Sequence, residues 1–175
     1  MRKQSALYGK QERKDKMGVF VDTGNTGFAE IRNGKYVDKS GMIDEVNRMI
    51  GTPHRLLCLS RPRRFGKSYA AQMLCAYYDR SCDSRSLFAD LEISRKSNWE
   101  EHLNHYDVIY IDMTYVKPFC HDYTEVVSYL TASITAELKE RYPELQEETD
   151  LPGTLIRAMS SPSISTTRFL FAIST

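Results

Sequence analysis

Apolar positions along the chain gather into a few dense runs separated by polar stretches, and two spacings can be read in them. Leu56–Leu59 is a brief apolar run bounded by turn formers; it is too short for a helix and predicts a buried strand. From Lys67 to Tyr78 the residues Ala70, Met73, Leu74 and Tyr77 recur at helical spacing, which predicts a helix with one buried face. "YDVIYIDMT", from Tyr106, is β-branched and aromatic and predicts a second strand ending at Asp112. Asp122 and Glu125 have capping-box spacing and open a helix whose buried stripe is Val126, Val127, Leu130, Ile134 and Leu138, stopped before Pro143. A weaker helix spans Pro152 to Met159, and "RFLFAIS" is a third apolar strand. Upstream, turn residues at Gly24-Asn25 and Asn33-Gly34 predict an irregular strand-and-turn segment with short β-type pieces such as Tyr36-Val37, followed by a helix over Met42–Ile50. A turn of helix is expected near Trp99–Leu103.

Strands alternating with helices in this order argue for an α/β domain with a parallel sheet covered by helices. The third strand closes the sequence, yet a parallel strand buried on both faces needs neighbours, so the domain is read as truncated at its C-terminus. A length of 175 residues suits one domain. Residues 1–16 form a basic leader expected to be disordered, and the domain proper is placed at 17–175; Met1 to Met17 carries six basic residues against two acidic ones. No apolar run reaches the ~20 residues needed to cross a bilayer, and the N-terminus has no signal-peptide core. The net charge of +1 identifies no partner class. Cys58 and Cys75 sit in apolar runs and read as small core residues, Cys82 and Cys120 add no metal-ligand spacing, and a reducing cytoplasm is the default setting.

Candidate chemistry concentrates in "SRPRRFGKSY", Ser60 to Tyr69, between the first strand and the first strong helix. A phosphate-binding loop works by converging backbone N–H groups and a helix N-terminus on an anion. In that geometry Gly66 permits close approach, Lys67 reaches the β- and γ-phosphates, and the Ser68 hydroxyl ligates Mg²⁺. Arg61 stands where such loops ask for glycine, and Pro62 offers no N–H, so the usable donors begin at Arg63. Arg63 and Arg64 could add charge at the phosphates, or they are solvated surface charges or a nucleic-acid patch. Phe65 lies inside the loop, and Tyr69 follows it, where it could shield the phosphates; Tyr77 and Tyr78 read as core.

"RPRRFGKS", preceded by "YVDKSGMI" and followed by "YDVIYIDMT", resembles the AAA-ATPase-like domain of many bacterial proteins, notably from gut Bacteroidales. The resemblance runs from about Met17 to at least Pro143, and the arginine-proline start of the loop is normal in that family. It implies a P-loop NTPase-like three-layer fold, ATP and Mg²⁺ as ligands, and, in full-length relatives, a C-terminal nuclease-like module to which nothing in this sequence corresponds. Asp38-Lys39 resembles the family's upstream motif, and its expected role is to position that segment against the sheet or the nucleotide base.

A P-loop ATPase also needs a carboxylate at the end of an adjacent strand to hold the Mg²⁺ shell. Asp112 has the generic form, but the family's acid pair comes one strand later, where Ser174 and Thr175 stand. Either the chain is cut short there, the preferred reading, or Asp112 is the acid; a third use for Asp112 is to cap the following loop. Hydrolysis by this chain is therefore in doubt, and Mg²⁺-dependent ATP binding is the expected function. The competing reading is a non-enzymatic basic module that contacts nucleic acid or another acidic partner through Arg61–Lys67 and the leader. His102, His105 and His121 lack a fourth ligand at sensible spacing and read as surface or packing residues.

Overall fold

The computed structural model describes residues 18–53, 56–60, 62, 64–116, 118, 120–146, 150–160 and 169–174, the last two stretches as backbone alone from 158 onward. The basic leader, Arg61 and Arg63 lie outside the described residues. Helices α1 (Thr26–Asn33), α2 (Gly41–Met49), α3 (Lys67–Tyr78) and the one-turn α4 (Arg85–Phe88) come first, then a 3₁₀ turn at Glu92–Arg95. Strand β1 (Asp107–Asp112) leads into a short helix α5 (Met113–Val116) and the long α6 (Tyr123–Arg141). A 3₁₀ turn at Pro143–Leu145, helix α7 (Leu151–Ser160) and strand β2 (Phe169–Ser174) complete the described chain.

β1 and β2 pair in parallel, Asp107 opposite Phe169 through Asp112 opposite Ser174. On its other edge β1 carries the upstream segment: Tyr110 N–H donates to the Phe20 carbonyl at 2.8 Å, and Asp22 N–H to that of Val108 at 2.8 Å. β1 is buried on both faces, and its alternation splits the core in two. Val108 joins a cluster with Phe28, Ile43, Met73, Tyr77 and Phe88, whereas Ile109 joins Phe20, Ile134, Leu138 and Tyr142. In the first cluster Phe28 stacks on Phe88 at 5.0 Å and Tyr77 meets Phe88 edge-on at 5.3 Å, the favoured arrangements for ring pairs. The buried phenol of Tyr78 donates to Asn47 Oδ1 at 2.6 Å, and Asn47 Nδ2 donates to the Tyr77 hydroxyl at 3.3 Å, so polar atoms at the centre of this core are bonded.

α6 starts as its capping spacing predicts. Asp122 Oδ1 accepts the Glu125 N–H at 2.9 Å, and Glu125 Oε2 accepts the His121 N–H at 2.6 Å. Ile134 and Leu138 are buried and Val126 and Leu130 half-buried, but Val127 is exposed, since it sits about 100° around the helix from Val126.

Four local expectations are corrected. Leu56–Leu59 is not in a strand: it has no ladder partner among the described residues, and Leu56 is 90% exposed. Backbone groups without a partner strand stay bonded to water, which keeps such a run at the surface. Cys58 is consequently exposed, while Cys75 is buried as expected. The turn-rich upstream segment contains helix α1, with Phe28 driven fully into the aromatic cluster, and Tyr36-Val37 is not in a strand. Trp99–Leu103 is a run of turns, and the helical turns fall earlier, at α4 and Glu92–Arg95.

Candidate functional site

The loop before α3 closes on two residues in the left-handed backbone region, Arg64 (φ 69°) and Gly66 (φ 74°, ψ 32°), with Gly66 as the N-cap of the helix. Arg64 holds this conformation at a cost of about 1 kcal/mol or more, and such strain concentrates in ligand loops. A Cβ at Gly66 would stand 2.8 Å from the Lys39 ammonium, the movable end of a long side chain, so it is the positive φ that favours glycine here. The helix opens with Ala70 N–H donating to the Gly66 carbonyl at 3.0 Å. First-turn N–H groups have no carbonyl inside the helix to bond, and the helix dipole leaves positive potential there, so the loop's end is disposed toward anions. Gly66, Lys67 and Ser68 are half-buried, and Arg64, Phe65 and Tyr69 are exposed. Tyr69 therefore stands apart from Tyr77 and Tyr78, which are fully buried.

Lys39 joins the loop from outside. Its Nζ donates to the Phe65 carbonyl at 2.8 Å. Asp38 beside it accepts the Ser40 N–H at 2.8 Å and the Glu92 N–H at 2.7 Å, and these bonds hold its carboxyl below the usual carboxylate range against the opposing effect of partial burial. Ser40 Oγ in turn accepts the Ile93 N–H at 3.1 Å. The Asp38-Lys39 pair thus ties the Glu92 turn to the phosphate-type loop.

Two cavities flank α3. One, about 390 Å³, lies at the C-terminal end of β1 and is lined by Thr23, Gly27, Phe28, Gln72, Tyr110 and Asp112, among others. The other, about 300 Å³, opens beside Gly66 between the Tyr36–Lys39 segment and the first turns of α3. Asp112 borders the first and Gly66 the second, so the two residues line different cavities. The Asp112 carboxylate accepts the Thr114 N–H at 2.9 Å and hydroxyl at 2.7 Å, capping α5. Ser68 nevertheless shares a helical stripe with Gln72 and Cys75, the α3 residues that line the Asp112 cavity, by their i, i+4, i+7 spacing. Tyr69, Ala70 and Met73 line the other cavity.

At the opposite end of α3, about 18 Å away by helical rise, lies a buried charge network that sequence reasoning did not find. Asp22, Asp79 and Asp107 are fully buried. Arg80 pairs with Asp107 through Nε at 2.9 Å and a terminal nitrogen at 2.7 Å, and Arg141 Nε lies 2.5 Å from Asp22 and 3.6 Å from Asp107. Asp22 also accepts the Val108 N–H at 2.7 Å from a left-handed backbone (φ 51°). Burial first, and Asp107 second, push the Asp22 carboxyl up to about 8, with Arg141 opposing. Burial likewise raises Asp79. The signal available in sequence was an acid inside each of two apolar runs, "VFVD" and "YDVIYI". Of the histidines, His102 lies 2.6 Å from the Tyr106 hydroxyl, and His105 bonds the Glu101 carbonyl. No group of three His, Cys, Asp or Glu residues able to hold a metal occurs among the described residues.

The profile of a family described as predicted AAA-ATPase matches residues 22–171, which include Asp22, the Asp38-Lys39 pair, the loop and β1. The chain belongs to this AAA-ATPase-like family. Neither a comparison with curated proteins nor one with solved structures gives a match. No helix among the described residues is long and apolar enough to cross a membrane.

Proposed function

We propose that this chain binds ATP with Mg²⁺ at the loop ending in Gly66, Lys67 and Ser68, on an α/β fold of the P-loop kind. The observation that carries the reading is Gly66 itself: a left-handed N-cap set directly before Lys67 and Ser68 at the mouth of a helix packed on parallel strands. The residues suit the ligand. The first-turn donors and the Lys67 ammonium meet phosphate oxygens, Arg64 adds positive charge at the rim, and Phe65 and Tyr69 border the loop. Ser68 offers the hydroxyl to Mg²⁺, and Asp112, which borders the cavity on the Ser68 stripe of α3, is the candidate carboxylate for the metal's shell. Bound Mg²⁺ neutralises phosphate charge. Binding, not turnover, is the function proposed for this chain.

Thermal unfolding with and without Mg-ATP, on the parent and on Lys67→Ala, tests the reading. A ligand at ~100 times its Kd adds about 2.7 kcal/mol, which for a chain of this size raises Tm by roughly 5–10 °C. The rise is expected in the parent and absent in Lys67→Ala, whose own Tm stays near the parent's. A parent that ATP does not stabilise, or an equal rise in both, refutes it; binding that ATP does not affect and that falls steeply with salt would favour the basic-module reading.

A further inference from the structure

We propose that the cleft beside Gly66 receives the base of the nucleotide; this rests on the reading of Gly66–Ser68 as the phosphate site. The cleft, about 300 Å³, starts at the loop and is walled by Tyr36 and Lys39 on one side and Phe65, Tyr69, Ala70 and Met73 on the other. Its volume is at the lower end of small-molecule sites. Phe65 and Tyr69 are 62% and 54% exposed, so two large rings stand largely open to solvent at its edge. Its floor is dense and apolar: Ala70 and Met73 are buried, and the Tyr36 hydroxyl donates to the Met73 sulfur at 3.3 Å. A small residue at position 70 leaves room above a polarisable thioether, which suits the face of a flat ring.

The rim is basic, with Lys35, Lys39 and Arg64 all bordering the cleft. Rings beside cations, at the side of an anion-binding loop, match a heteroaromatic group carried on a polyphosphate. The wall opposite α3 is also held in place, because Asp38 and Ser40 bond the Glu92 turn while Lys39 bonds the Phe65 carbonyl. Placing the base here puts it on the Tyr69 side of α3 and leaves the Ser68 stripe to the metal, so the two halves of the ligand do not compete for one face.

Isothermal titration of the chain with Mg-ATP and with Mg-tripolyphosphate, which lacks base and sugar, separates this inference from the one beneath it. The parent is expected to bind ATP at least about tenfold more tightly than tripolyphosphate, the order of one stacked base. Tyr69→Ala is expected to lower ATP affinity about tenfold more than tripolyphosphate affinity, and Tyr69→Phe to preserve the parent's ratio. Ala70→Trp, which fills the cleft, is expected to collapse the same ratio. If Lys67→Ala abolishes both ligands while Tyr69→Ala and Ala70→Trp leave the ratio at the parent's value, the phosphate site stands and the base lies elsewhere. Failure of the parent to bind either ligand overturns both readings.

Discussion

Asp22→Asn is the perturbation whose effect follows most directly from the structure. Three buried carboxyls, Asp22, Asp79 and Asp107, share two guanidiniums, Arg80 and Arg141, with the Tyr142 hydroxyl bonded to Arg80 at 2.9 Å. Full ionisation would leave an uncompensated negative charge among fully buried groups, and a buried charge of that kind costs more than keeping a proton. Asp22 is the carboxyl that keeps it, its pKa raised from 3.8 to about 8 by burial and by Asp107. The native chain therefore binds one proton more than the unfolded chain between those limits. The contribution is fully present below the unfolded pKa and is lost as pH rises through the folded one. One extra proton gives a slope of up to about −1.4 kcal/mol per pH unit, so from about pH 5.5 to about pH 7.5 the parent loses on the order of 3 kcal/mol through this group. Against a total stability of roughly 5–15 kcal/mol that is a large change. Urea unfolding at a series of pH values, on parent and Asp22→Asn, measures it, since histidines and carboxyls outside this network titrate alike in both and cancel in the difference. The variant is expected to be flatter across that window whatever its absolute stability. Parallel pH profiles for the two proteins would refute the argument, because they would mean that Asp22 is ionised throughout and that Arg141 alone balances it.

Three further outcomes are expected. Glu137 accepts the N–H groups of Val19 at 3.2 Å, Phe20 at 3.0 Å and Val21 at 2.8 Å, so Glu137→Ala strips a carboxylate from three donors and should lower unfolding free energy by about 2 kcal/mol, with faster amide exchange at residues 19–21. Asp122→Ala removes the N-cap of α6 and should cost about 1 kcal/mol by chemical denaturation; no change would mean that the Glu125–His121 bond holds the end alone. Phe88, fully buried between Phe28 and Tyr77, should cost about 3–5 kcal/mol as Phe88→Ala, measured by the same unfolding curves.

How much could be read from the sequence divides along a physical line. α3, α6 and β1 were legible because their signals are local: a helical spacing from Ala70 to Tyr77, a cap at Asp122 with a stop at Pro143, and a β-branched run from Val108 to Ile111. α1 was not, because "TGNTG" carries turn chemistry and the helix depends on Phe28 finding Phe88 and Tyr36. Leu56–Leu59 failed in the opposite sense. Its composition describes a strand, but a strand exists only with a partner, and β1 already has β2 on one edge and the Phe20–Asp22 segment on the other. The charge network was hidden for the same reason, since Arg80 and Arg141 meet Asp107 only once α3 and α6 are packed on β1.

The candidate site shows the division most sharply. Gly66, Lys67 and Ser68 could be put forward as candidates from the sequence because a phosphate loop, as proposed here, draws its donors from consecutive residues, so its chemistry is written contiguously. Asp38 and Lys39 could be given only a general positioning role, against the sheet or the nucleotide base, because their bonds go to different elements far along the chain. Asp38 receives the Glu92 N–H, and its neighbour Lys39 donates to the Phe65 carbonyl. Adjacent residues with diverging partners make this short segment a brace between the Glu92 turn and the loop. A brace of that kind bears on what the loop can do. The ammonium that holds the Phe65 carbonyl also stands 2.8 Å from where a Cβ at position 66 would sit, so a side chain there would displace Lys39 from that bond, while the left-handed φ favours glycine on its own account. Lys39→Met, which keeps the stem and removes the donor, should therefore loosen the loop while leaving the glycine requirement in its φ alone, whereas Gly66→Ala should be harmful in either background.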